Sequence, residues 1–260
     1  MTKLTFKRVI FFIKERLKAS GGYGGTKHLP ATVEDTFHAI HSLFLLRTLS
    51  RLDDEILSIS DKKFVKHKWQ ERSLNFKSAY QILTMLSWTN ILPSVDEISS
   101  FLEEKSYHLH SLENLFYCSL ICKSFGLEFP FNKSPSLSTD PAIKELFFWS
   151  TLKKFLGHSM DPSWLSWLEL CQNYDGGFGF KPGTTSFIDT THYALETFSL
   201  FGRFPFKTDS VTNFLAACQK PEGGFSRRPG AAAFLDATWH AVSSCYILAT
   251  KKPALTQINF

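Results

Sequence analysis

No stretch of this sequence is long and apolar enough to read as a membrane span. The apolar run near the start, Val9–Ile13, stops at Lys14-Glu15-Arg16. That is far short of the ~20 residues a spanning helix needs, and no cleavage site of a signal peptide follows it. Long basic runs are missing as well. Lys62-Lys63 and Arg227-Arg228 are the densest pairs and the net charge is only +5, below the clustered Lys/Arg footprint of nucleic-acid binders although compatible with an anionic ligand. Cysteine is sparse and odd in number, five in 260 residues, which argues against a disulfide scaffold and fits a reducing compartment. Strand signals are scarce. These absences predict a soluble, cytoplasmic protein with no nucleic-acid partner and no transmembrane segment.

What is abundant is the aromatic ring. Phenylalanine occurs 26 times, and six Trp and seven Tyr join it. Rings in that number fill a core or line a cavity. An apolar fraction of 43% against 20% charged residues excludes wholesale disorder.

Internal repeats organise the chain. Residues 171–198 read CQNYDGGFGFKPGTTSFIDTTHYALETF and residues 218–245 read CQKPEGGFSRRPGAAAFLDATWHAVSSC, aligned without a gap at an offset of 47. They share Cys-Gln, a glycine pair, Phe178/Phe225, Pro-Gly, Phe187/Phe234, Asp189/Asp236, Thr191/Thr238 and Ala194/Ala241. A third copy from Gly21, GGYGGTKHLPATVEDTFHAI, places Gly22, Tyr23, Glu34, Thr36 and Ala39 in the same register. Weaker echoes such as Leu112–Tyr117 running to Gly126 fill the middle. The clearest repeats are 21–46, 171–202 and 218–248, and the whole of 1–260 reads as one domain of five to six units.

Each unit has the same local grammar. The glycine-aromatic stretch ending in Pro-Gly is turn chemistry, because glycine supplies positive φ and proline holds its own φ at about −65°. A helix-period segment follows, such as Ala194, Leu195, Phe198 and Leu200-Phe201, stopped by Gly202. The segment before each Cys-Gln is helical in pattern too. One helical hairpin per unit, stacked on its neighbours, gives an all-α array. The first and last copies keep the full motif where an open solenoid would need polar caps, so a closed ring is expected.

The glycine-aromatic loop leading into a D-x-T helix start resembles the repeat shared by protein prenyltransferase β subunits and squalene/oxidosqualene-type terpene cyclases. Three copies, about a third of the chain, carry it. The resemblance implies an α/α toroid of concentric inner and outer helices around a deep, aromatic-lined cavity that takes isoprenoid chains. Nearest are the protein prenyltransferase β subunits, which implies a prenyl diphosphate as ligand and an α-type partner subunit. In that branch an Asp-x-Cys supplies two zinc ligands and a His of the next repeat a third. Here the motif reads Asp189-x-Thr191 and Ala237 takes the place of the His. A hydroxyl is a poor substitute for thiolate on Zn²⁺, so Asp189 is the one remnant of the motif; zinc or magnesium is a possible cofactor that the sequence does not assign. In the cyclase branch the acid two before Thr donates a proton, and Asp189, Asp236 and Glu34 hold that offset. The full D-x-D-D-T-A signature is absent; Val33-Glu34-Asp35-Thr36 comes nearest.

Chemistry alone singles out acid–imidazole pairs at the helix starts. Glu34 and His38 lie four apart, as do Asp236 and His240, while the third copy pairs Asp189 with Tyr193. Residues four apart share a helix face, and a carboxylate acting with an imidazole is an acid/base device. The macrodipole by itself also favours an acid in a first turn. A His/carboxylate metal site from His38, His41 and Glu34 is a further alternative, without a compact ligand motif behind it. Lys181, Arg227 and Arg228 sit in the loops; Lys181 and Arg228, four after the second glycine, resemble the place where the prenyltransferases keep an Arg for the lipid diphosphate, and arginine and helix N-termini together suit an anion. Asp189, Asp236, His240, Glu34 and His38 are therefore the catalytic candidates, and Lys181, Arg227, Arg228 and Tyr193 the diphosphate candidates. Cys118, Cys122, Cys171, Cys218 and Cys245 read as small core residues. Three functions are open: prenyl transfer from a diphosphate, class II-like cyclisation with an Asp proton donor, and non-catalytic binding of a lipid or partner helix.

Overall fold

The computed structural model describes residues 5–50, 58–71, 73–89, 91–131 and 135–255. Eleven α-helices form among them: α1 (Phe6–Lys14), α2 (Val33–Ser50), α3 (Ile59–Gln70), α4 (Phe76–Ser87), α5 (Val95–Lys105), α6 (Leu112–Phe125), α7 (Ile143–Phe155), α8 (Ser163–Leu170), α9 (Ile188–Leu200), α10 (Thr208–Cys218) and α11 (Leu235–Thr250). Six of them, α2, α4, α6, α7, α9 and α11, pack each on the next, and α11 packs back on α2. The ring expected from the repeats is closed.

The other five helices form an outer layer: α1, α3, α5, α8 and α10. Among the described residues, no outer helix directly precedes the inner helix α7. The residues leading to it carry Pro130, Pro135 and Pro141, and proline in a helix interior deletes a backbone bond and clashes with the preceding turn. The five to six expected hairpins are thus five hairpins and one lone inner helix.

The repeat residues have a common structural task. In the three full copies the glycine–aromatic turn ends with a backbone N–H donated to the threonine of the next helix: Tyr23 to Thr36 Oγ1 at 2.9 Å, Phe178 to Thr191 Oγ1 at 3.0 Å and Phe225 to Thr238 Oγ1 at 2.9 Å. Each threonine hydroxyl in turn donates to the carbonyl four residues back, of Thr32, Phe187 and Phe234. The first glycine of each pair lies where the next outer helix begins. At Gly176 (φ +90°) a Cβ would meet the Ser210 carbonyl oxygen of α10 at 1.9 Å; at Gly223 (φ +103°) it would meet the Arg8 carbonyl oxygen of α1 at 2.2 Å. The last loop therefore closes the outer layer onto the first helix. Thr5 N–H donates to Gln219 Oε1 and Arg8 to the Pro221 carbonyl, so α1 serves as the outer neighbour of the last repeat.

Many of the phenylalanines are buried in the core. Phe12, Phe37, Phe76, Phe116, Phe147, Phe178, Phe198, Phe214 and Phe225 are fully buried, and pairs such as Phe116–Phe147 meet edge to face at 5.3 Å, a favoured geometry for ring quadrupoles. All five cysteines are free and buried. Burial pushes the Cys171, Cys218 and Cys245 thiols up to about 12, which keeps them un-ionised and inert.

Candidate functional site

Every inner helix starts with an apolar residue that points into the packing and then a charged one: Glu34 on α2, Lys77 on α4, Glu113 on α6, Lys144 on α7, Asp189 on α9 and Asp236 on α11. These second positions form a rim around one end of the ring. All of them except Glu113 line a cavity of about 170 Å³, and Arg227 reaches into it from the last loop. One turn deeper the wall is made by Phe37, His38, Tyr80, Gln81, Tyr117, Tyr193, Trp239 and His240. Six helix N-termini face this space, and their unsatisfied N–H groups favour negative charge.

The rim charges are interlocked. Lys77 Nζ lies 2.5 Å from Glu34, Lys144 Nζ 3.1 Å from Glu113 and Arg227 Nη2 2.8 Å from Asp236. Partial burial works to raise the Glu34 carboxyl, but the Lys77 hydrogen bond and charge outweigh it and hold the group below the ordinary range. The hydrogen bond from Arg227 to Asp236 raises the already high guanidinium pKa further. Asp189 differs from the other rim acids. It has no ion pair among the described residues, and its Oδ1 is buried with no hydrogen-bond partner.

Beneath the rim lies a wall of imidazoles. His38 stacks on Trp239 with centroids 4.4 Å apart; Trp239 Nε1 donates to His41 Nδ1 at 2.9 Å. Burial drives His38 down to about 4 and His41 to about 3 and lowers His240 strongly, so these rings are neutral near pH 7. His192 and His240 meet Nδ1 to Nδ1 at 2.9 Å, and His192 Nε2 lies 3.2 Å from Glu196 Oε1. Both His192 and Glu196 are fully buried.

The floor of the cavity is the chain itself. After α11 ends at left-handed Lys251, the backbone turns into the ring. The N–H groups of Ala254 and Leu255 both donate to Glu196 Oε1, at 2.9 and 2.8 Å, and Tyr80 donates its hydroxyl to the Leu255 carbonyl at 2.8 Å. Leu255 faces the cavity. On the other side of this segment, at the C-terminal ends of α6, α7 and α9, a wider groove of about 730 Å³ is bordered by Lys123, Lys154 and Lys252.

The model of the prenyltransferase alpha-alpha toroid domain matches residues 1–109, 142–207 and 166–259. The chain belongs to that family. No curated protein sequence matches the toroid described here. Among solved structures it is similar to Candida albicans protein geranylgeranyltransferase-I complexed with GGPP, at 13% identity over 94% of this chain and 91% of that one, with a TM-score of 0.38.

Within this toroid, Glu34, His38, Asp189, Tyr193, Arg227, Asp236 and His240 line one cavity. Other expectations are corrected. Lys181 and Arg228 do not line the cavity: Lys181 pairs with Asp140, and the Arg228 carbonyl accepts from Ser226 in the loop. Asp236 and His240 share a helix face but not a hydrogen bond, because Arg227 and the Ala237 N–H take Asp236 and His192 takes His240. Glu34 and His38 are 4.0 Å apart with Lys77 closer to the acid. His41 is used by Trp239 rather than by the cavity. The cavity wall contains a single phenylalanine, Phe37; its other rings carry hydroxyl or N–H groups.

The zinc motif of the family does not fit the residues present. Thr191 Oγ1 accepts from Phe178 N–H and donates to the Phe187 carbonyl, so its hydroxyl is committed to joining the turn to the helix start. No group of three His, Cys, Asp or Glu among the described residues is spaced to hold a metal ion. No helix among them is long and apolar enough to cross a membrane. Lys77, Glu113 and Lys144 are site residues that the repeat alignment missed, since the middle units lack the glycine motif; His192 and Glu196 lie in a full copy but align with Trp239 and Ser243 at the equivalent positions, so no shared chemistry marked them.

Proposed function

We propose that this chain binds a prenyl diphosphate in the rim cavity and transfers the prenyl group to a nucleophile without a protein-held zinc ion. The observation that carries this reading is convergence: three cations, Lys77, Lys144 and Arg227, meet at one enclosed cavity into which six helix N-termini point. Each cation is held in place by an acid that it would exchange for phosphate oxygens, and Arg offers a fork suited to two of them. Membership of the prenyltransferase toroid family supports the choice of ligand. An α-type partner subunit belongs to the same reading.

The second reading, cyclisation begun by a carboxylic acid, has one observation in its favour: Asp189, with an unpartnered buried oxygen, is the rim acid free of an ion pair. Asp236 is instead engaged by Arg227 in an ion pair at 2.8 Å.

Retention of tritiated farnesyl diphosphate on the purified chain tests the transfer reading. Binding that inorganic diphosphate competes away, and that falls at least tenfold in Arg227→Ala and in Lys144→Ala, is the expected result. No retention above background, or equal retention by both variants, refutes it. Asp189→Asn separates the readings: it abolishes cyclised product if the second is correct and leaves diphosphate binding intact under either.

A further inference from the structure

The hydrogen bonds below the rim fix a proton path that the family motif does not contain. Glu196 Oε1 accepts two backbone N–H groups, from Ala254 and Leu255. An oxygen serving two amide donors is the acceptor for its third neighbour too, so His192 Nε2 carries the proton in their 3.2 Å contact. With that proton on Nε2, the His192 tautomer presents its lone pair at Nδ1. His240, 2.9 Å away, must donate from its own Nδ1, which leaves the lone pair of His240 on Nε2. His240 belongs to the cavity wall, and Nε2 has no hydrogen-bond partner among the described residues.

We propose that His240 is the proton acceptor of this site and that His192 and Glu196 are positioning residues forming a relay behind it, a role that rests on the transfer reading above. In the step, the X–H group of the acceptor gives its proton to His240 Nε2. The Nδ1 proton of His240 passes to His192 Nδ1, and the Nε2 proton of His192 passes to Glu196. The X atom forms its bond to C1 of the prenyl chain while the C1–O bond breaks, and the diphosphate departs with that electron pair against Lys77, Lys144 and Arg227. The proton thus ends on a fully buried carboxylate whose charge it removes. Both imidazoles return to neutrality, so no buried imidazolium is left in the wall.

The surroundings of His240 make the relay necessary. It is faced by Glu34 and His38 on α2, Lys77 on α4, Tyr117 on α6, Lys144 on α7, Asp189, His192 and Tyr193 on α9, Asp236 and Trp239 on its own helix, and Arg227 of the loop. Burial and the nearby cations oppose a lasting charge on the ring. Passing the proton onward avoids that charge.

The experiment combines nitrogen-15 NMR of the histidines in the full chain with turnover of tritiated farnesyl diphosphate in the presence of dithiothreitol as acceptor. The expected spectrum shows His240 protonated at Nδ1 and His192 at Nε2; a His240 protonated at Nε2 overturns the relay whatever the ligand does. Glu196→Gln keeps an acceptor oxygen but cannot take the proton. It should bind farnesyl diphosphate as the native chain does and form thioether at least 100-fold more slowly, the scale of general base catalysis. His240→Ala should lose a similar factor and regain rate with added imidazole, which a purely structural role would not permit. Farnesyl diphosphate that binds but is not converted by the native chain, or converted equally by Glu196→Gln, overturns the proposal and leaves the binding reading standing. Absence of binding refutes that reading instead, and the NMR result then decides the relay alone.

Discussion

Acid should unfold this protein through its buried imidazoles, and the size of the effect follows from two of them. His38 and His41 titrate near pH 6.5 in an unfolded chain and at about 4 and about 3 in the folded one, because burial penalises the charged form. Their folded values are depressed, so the unfolded chain binds protons first. Their effect on stability is therefore nil above about pH 7.5, and stability drains away as the pH falls through 6.5. The loss levels off below about 4 for His38 and about 3 for His41. At pH 5 the unfolded ring is about 1.5 units past its midpoint while the folded ring is still neutral. At 1.36 kcal/mol per unit this costs about 2 kcal/mol for each histidine. His41→Asn isolates one share. Asparagine places an oxygen near Nδ1, where it accepts the Trp239 N–H, and it does not titrate. Urea unfolding at pH 8 and pH 5 should show the native chain losing about 2 kcal/mol more than the variant between the two conditions, whatever the variant costs at pH 8. Equal losses in both proteins would refute the assignment of that proton to His41.

Three further outcomes are expected. Gly223→Ala, which drives a methyl into the Arg8 carbonyl at 2.2 Å, should cost over about 4 kcal/mol, whereas Gly230→Ala, with φ +84° but open space around it, should cost about 1–2 kcal/mol; equal Tm shifts would show that α1 does not close the ring. Thr191→Val leaves the Phe178 N–H without its acceptor and should lose about 1–3 kcal/mol in denaturant unfolding; no loss would reject the structural reading of the D-x-T threonine. Leu255→Ala removes the buried floor side chain and should cost about 2–5 kcal/mol by calorimetry, while a neutral result would place residue 255 outside the ring.

The closed ring and its hairpins were legible because they rest on chemistry that repeats. A glycine that must touch the neighbouring backbone, and a threonine that must cap a turn, leave few alternatives at those positions. The floor was not legible. Ala254 and Leu255 are unremarkable residues with no repeat partner, and what holds their N–H groups is one carboxylate, Glu196, in the middle of a helix where periodicity alone reads as packing, with the Tyr80 hydroxyl on the Leu255 carbonyl. The phenylalanine surplus pointed the right way to a ring-rich interior but not to its division: apart from Phe37, the rings of the cavity wall carry polar atoms, where a rim of charges needs partners.

The middle repeats teach the sharper lesson. Lys77, Glu113 and Lys144 occupy the same second helical position as Glu34, Asp189 and Asp236, yet no glycine pair precedes them to announce the register. Their signal lies one step away, in the caps. Asn75 accepts from Ser78 N–H, Ser111 from Asn114 N–H, and Glu145 reaches back to Ala142 N–H. Each cap fixes where a helix begins and so which residue comes second. Aligned by cap rather than by glycine, six helix starts give the order Glu, Lys, Glu, Lys, Asp, Asp around the ring. Alternation pairs the first four across neighbouring helices. The two adjacent acids that end the order break it, and one of them must draw a cation from elsewhere. Arg227 answers Asp236; Asp189 is left with a bare oxygen. The unpaired acid thus falls on a position that the alignment of repeats had marked for chemistry, and it does so because the number of cations supplied by the helix starts is one short at each of two adjacent places while the loop supplies only one.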